Sequence, residues 1–128
     1  MAISIVRLGS TRRRSEGLRL GTVRRPPRGV PKSQFASQDW YDVWLPTLAP
    51  SAALMRRTVI DENGKWWPTF AKRFHAELNK PEASRLLDVL AALSHQTNFS
   101  VGCYCEDERQ CHRLLLRRAL SDRGAIVA

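Results

Sequence analysis

The stretch Asn98–Leu120, N-F-S-V-G-C-Y-C-E-D-E-R-Q-C-H-R-L-L-L-R-R-A-L, decides the fold. Phe99, Val101 and Cys103 alternate with Ser100, Gly102 and Tyr104, the period of a strand. The polar run Glu106 to Gln110 breaks that pattern. From Cys111 onward, Leu114, Leu115, Leu116, Ala119 and Leu120 recur at close to helical spacing. Arg117, Arg118 and Arg123 stand toward the far end, where positive charge suits the helix dipole, and Gly124 is a natural stop. The C-terminal end of a strand feeding a helix N-terminus is where open α/β sheets hold their ligands. The expectation is that Cys103, Cys105, Cys111, His112 and Arg113 lie close together there.

Working backward, Pro81 opens a helix at the position proline favours, with Leu86, Leu87, Val89, Leu90 and Leu93 as its buried face. Trp66 to Asn79 carries a helical stripe of Trp66, Trp67, Phe70, Ala71, Phe74 and Leu78. Asn63-Gly64 marks a turn before it. Ser51 is the expected N-cap of a short helix, Ala52 to Arg57. Asp39 to Pro46, D-W-Y-D-V-W-L-P, reads as an extended segment or strand. Ile3–Leu8 and Leu18–Val23 have the composition and alternation of two earlier strands. Between strand two and the aromatic segment, three prolines fall at 26, 27 and 31, which excludes regular structure. The pattern predicts an α/β fold: a small sheet flanked by helices, a Rossmann-like three-layer arrangement, in one domain over residues 1–128.

Composition bounds the rest. The chain is 43% hydrophobic, which makes it globular rather than disordered. No apolar run approaches a membrane span, and the opening M-A-I-S-I-V-R-L-G-S lacks a signal-peptide core, so a cytoplasmic protein is expected. Its three cysteines are an odd number, and C-x-C is too close for ordinary bridging, so they read as free thiols. The net charge of +9 is concentrated: residues 1–32 hold nine Arg or Lys against one Glu. Residues 7–28 are therefore a candidate surface for nucleic acid or another phosphate-rich partner.

Three chemistries suit the C-terminal cluster. Cys103, Cys105, Cys111 and His112 are the donor types zinc prefers. Alternation aims Cys103 and Cys105 to one face of the strand. Adjacent Cys111 and His112, if both helical, diverge by about 100°. Thiol chemistry is the second. Cys111 at a helix N-terminus, beside His112 and Arg113, has a favoured thiolate and is a candidate nucleophile. Cys103-x5-Arg109 has phosphatase-loop spacing, but the acids between them exclude an anion cradle. The third is anion binding by Arg113 with the helix dipole, joined by Arg7 and Arg24 if the first two strands are neighbours. Asp42 or Glu106 is a candidate acid or base. The plain alternative is that the cysteines only pack, since cysteine is among the most buried residue types.

Several stretches together carry a resemblance. They are Val6-Arg7-Leu8-Gly9, the run from Gly21 to Val30, Tyr41-Asp42-Val43-Trp44-Leu45-Pro46 with Leu48-Ala49-Pro50-Ser51, the Trp-Phe helix, and Cys103-Tyr104-Cys105 with Cys111-His112-Arg113. The combination resembles the bacterial domain-of-unknown-function 488 family, including its YeaO-like branch. The resemblance spans nearly the whole chain and implies a small cytoplasmic α/β protein without an assigned activity. Two classes of function stay open. One is a small enzyme or binding domain for an anionic small molecule, a nucleotide or phosphorylated metabolite, at the end of the last strand. The other is a nucleic-acid-associated module using the basic N-terminal third. A structural zinc site at the cysteines is a third reading. Cofactor and oligomeric state are not legible.

Overall fold

The computed structural model describes residues 1–60, 62–105 and 111–128. Four strands, β1 (Ile3–Arg7), β2 (Leu18–Gly21), β3 (Val43–Trp44) and β4 (Phe99–Cys103), form one sheet in the order β1-β4-β2-β3. Every pairing is parallel, with Arg7 opposite Cys103 and Gly21 opposite Gly102. The α-helices are α1 (Ala52–Arg57), α2 (Trp66–Leu78), α3 (Pro81–Leu93) and α4 (His112–Asp122), and short 3₁₀ turns occupy Lys32–Gln34 and Pro46–Leu48. This is the α/β architecture expected. Because all strands run one way, their C-terminal ends share one edge. Leu8, Thr22, Leu45 and Tyr104 leave the sheet there.

β4 is central and buried along its whole length. Phe99 and Val101 join Ile3 and Leu20 in a cluster with Phe70 and Phe74 of α2, Leu87 of α3 and Leu116 of α4. The alternate residues are small or polar. Ser100 donates to Glu16, and a Cβ on Gly21 of β2 would come within 2.3 Å of the Tyr41 ring. That ring and Cys103, Cys111, Leu8 and Val23 form a second cluster.

Helix starts follow local sequence. Ser51 caps α1 by accepting from Leu54 N at 3.0 Å, and the Glu77 carboxylate holds the Ser51 amide and hydroxyl. Ser51→Ala should cost about 1 kcal/mol of stability, read as a lowered urea midpoint at unchanged slope. A midpoint shift near zero would mean the cap and the Glu77 clamp do not support α1.

Two expectations differ. On α3 the buried residues are Ala83, Leu87, Leu90 and Ala91, whereas Val89 and Leu93 are 53% and 41% exposed. Val89 lies two positions from Leu87, nearly opposite it on the helix. The aromatic segment is paired only at Val43–Trp44. Asp39 has φ +60°, the Asp42 carboxylate accepts from the Arg19 amide, and Pro46 has no N–H to pair.

Candidate functional site

A cleft of about 480 Å³ opens at the C-terminal edge of the sheet. Val23, Pro50, Ala52 and Met55 form its apolar wall, Arg24, Arg25 and Arg56 its basic rim, and Cys103, Tyr104, Cys105 and His112 its floor. β2 and β4 deliver the floor and one side. The Ser51 cap sets α1, which brings Met55 and Arg56.

His112 begins α4, and Cys111 is the N-cap, with extended backbone at φ −131° and ψ 149°. Cys111 therefore is not helical, and the divergence expected for two adjacent helical residues does not occur. Its Sγ lies 3.9 Å from His112 Nδ1 and 2.7 Å from Cys103 Sγ. The ligand atoms of Cys103, Cys111 and His112 all fall within 4.8 Å of one another, an arrangement that could hold a metal ion. His112 Nε2 donates to the Thr22 carbonyl at 2.7 Å, which leaves the Nδ1 lone pair toward the sulfurs. Burial lowers the pKa of His112 more than that carbonyl raises it.

Cys103 and Cys111 are buried and Cys105 is exposed. The three thiols share their protons unequally. The neighbouring thiols Cys103 and Cys111 hold Cys105 well below the ordinary thiol range, with His112 and Arg113 adding to the effect against burial. Cys103 is pushed up by its neighbours Cys105 and Cys111 and by burial. The contact with Cys103 pulls Cys111 down, but Cys105 and burial push it up to about 11. One negative charge is thus favoured on the sulfur that faces solvent.

Arg113 is 4% exposed and donates from Nη2 to the Cys105 carbonyl at 2.6 Å. Its Nε has no partner among the described residues. Glu106, Arg109 and the rest of 106–110 lie outside the described residues. Arg24 donates to the carbonyls of Pro50, Pro46 and Ala49, so it builds the rim. Arg7 and Arg24 do not come from neighbouring strands, because β4 lies between β1 and β2. Arg7 borders a separate small cleft with Ser10 and Trp40. Asp42 is also away from the thiols. It accepts from Arg12 Nη1 at 2.6 Å and from the Arg19 amide at 2.8 Å. Burial raises its pKa, but those bonds outweigh it and the net shift is downward.

Met55 and Arg56 carry no motif, and only the tertiary path of α1 places them. Thr22 takes part through its carbonyl, which no side-chain pattern reports. A family model described as the active DUF488-N3 subclade matches residues 3–124. The chain belongs to the DUF488 family. No curated protein and no solved structure matches it. The DUF488 match spans β1 to the end of α4, so it takes in every residue of the cleft. No helix among the described residues is long and apolar enough to cross a membrane.

Proposed function

We propose that this DUF488 protein binds an anionic small molecule, a nucleotide or phosphorylated metabolite, in the cleft at the end of β4 and acts on it through Cys105. The observation that carries this reading is the coincidence, in one cleft, of the exposed Cys105 thiol with three arginines. No carboxylate lines that cleft among the described residues. Its volume, about 480 Å³, suits a small-molecule site. Arg25 and Arg56 receive the anion, while Arg24 fixes the rim. Cys105 is the nucleophile. Cys111 positions it by donating S–H while Cys103 donates in turn to Cys111, and Arg113 holds its backbone.

Calorimetric titration of nucleoside monophosphates against the parent nucleosides tests the reading. The monophosphates should bind, and Arg56→Ala should weaken them about tenfold or more, the loss of one charge-assisted contact. Nucleosides binding as tightly as their monophosphates would sink it.

A metal centre is a second reading, supported by the orientation of His112. A ring whose Nε2 donates to a backbone carbonyl while Nδ1 faces two thiols is the pattern of a zinc ligand. Elemental analysis of protein purified without chelator separates the two. We expect well under one zinc per chain. About one zinc per chain, with all thiols protected until a chelator is added, would replace the nucleophile with a metal site.

A further inference from the structure

The Cys105 cleft is the first of three clefts that share Tyr104 along the same edge. The second, about 560 Å³, lies between Arg25, Arg28 and Trp40, and the third, about 330 Å³, lies on the far side of Trp40. Among the described residues, none of the three is lined by a carboxylate. Trp40 and Tyr104 meet edge to face, centroids 5.9 Å apart and planes at 74°. The Tyr104 hydroxyl donates to the Arg25 carbonyl at 2.8 Å, which pins that arginine between the first and second clefts. Gly9, at φ +91°, makes room for the indole, since a Cβ there would sit 3.0 Å from the ring. The indole is half-buried, seated on the fold with part of its surface in the clefts.

A mononucleotide in the first cleft would leave the other two empty. What continues beyond it is a pair of touching aromatic rings in a cleft shared with Arg25 and Arg28, groups that suit the bases and phosphates of a strand. A duplex presents no free base face to such rings. We propose that the ligand of the Cys105 cleft is one nucleotide within a single-stranded nucleic acid, with flanking bases on Tyr104 and Trp40 and flanking phosphates on Arg25 and Arg28. This rests on the reading of the cleft as a nucleotide site and names the polymer to which that nucleotide belongs.

The test is fluorescence anisotropy with short mixed-sequence single strands, DNA and RNA, competed by nucleoside monophosphates and by duplex. One of the two single strands should bind about tenfold or more tighter than any monophosphate, given the worth of a base stacked on an aromatic ring. Its affinity should fall with salt, with a log–log slope of about −2 for contacts from Arg25, Arg28 and Arg56. Trp40→Ala should remove most of the advantage and leave monophosphate binding unchanged. Arg28→Ala, an exposed change with little risk to folding, should lower the strand's affinity severalfold and flatten the salt slope. Equal affinity for strand and monophosphate would overturn the proposal while the nucleotide pocket stands. Duplex binding as tight as single strand would overturn it too, and binding of no nucleotide in any form would overturn both.

Discussion

Arg19→Met is expected to cost about 3–5 kcal/mol, the price of removing one partner from a buried ion pair. Arg19 is 0% exposed although it sits on a strand. Its Nε and Nη2 donate to the two Glu16 carboxylate oxygens at 2.7 and 2.9 Å. Nη1 donates to the carbonyls of Ser10 and Asp39 at 2.8 and 2.7 Å. Methionine would fill the space but leave Glu16 buried with Ser100 as its only remaining side-chain donor among the described residues, would strip the Ser10 carbonyl after β1 of the guanidinium, and would leave the Asp39 carbonyl before β3 with the Gly9 amide. A domain of this size has roughly 5–15 kcal/mol in total, so urea unfolding should show a large fall in midpoint. Combining Arg19→Met with Glu16→Leu should recover part of the loss, because no charge is then buried alone. A loss under about 1 kcal/mol for the single variant would mean that Glu16 finds water.

The same network sets the acid limit of stability. Burial raises the Glu16 pKa, but hydrogen bonds from Arg19 and Ser100 outweigh it and the net shift is downward. Asp42 shifts the same way through Arg12 and the Arg19 amide. A carboxyl whose folded value is depressed contributes stability that is complete above its unfolded value and is lost as pH falls through the folded one. The unfolded references are 4.5 and 3.8. Stability should therefore be level above about pH 5 and fall progressively below about pH 4. Glu16→Gln should flatten that limb. The Arg12–Asp42 pair has side chains 23% and 22% exposed, so solvent screening leaves it a smaller share.

What was legible in the sequence was local. Ser51 and Pro81 announce their helices because a cap and a proline act within one turn. Phe99 to Cys103 announces β4 by alternation. Arg19 was not legible. In L-R-L-G the arginine alternates with leucines and reads as the solvent face of a strand. It is buried because β2 lies inside the sheet, and its partners are the Glu16 carboxylate and the carbonyls of Ser10 and Asp39, while that carboxylate is held in turn by Ser100, 84 residues away. The alternation is real, but the second face is covered too. Asp42 stands out in an aromatic run, yet its partner Arg12 is 30 residues back in the chain. At the site, the cluster of Cys103, Cys111 and His112 was legible and its geometry was not. An N-cap has extended backbone, so Cys111 and His112 converge where two helical neighbours would part. Arg7 and Arg24 could not be assigned to one site or two without the strand order, which nothing local encodes.

The thiols give the second large effect. At neutral pH one cysteine, Cys105, should react with iodoacetamide about 100-fold or more faster than Cys103 or Cys111, because only the thiolate attacks and only this sulfur combines exposure with a favoured charge. The pH profile carries the sharper content. An ordinary thiol, near pKa 8.5, loses rate about tenfold per unit of pH below that value. Cys105 should keep its rate from pH 7 down to about 5, since its anion persists. Cys105→Ser should abolish the fast phase outright. Cys111→Ala removes the S–H that Cys111 turns to Cys105 and should move the midpoint of the Cys105 profile upward, whereas Cys111→Ser, which keeps a donor, should move it less. That contrast separates a positioning role from simple packing, because both variants empty the same buried space to a similar degree. If Cys111 proves to be the fast thiol, the N-cap sulfur and the α4 dipole become the reactive pair, and Cys105 is left as rim. If all three thiols are slow and stay slow after chelation, the cysteines only pack, and the arginine rim alone must carry whatever the cleft binds.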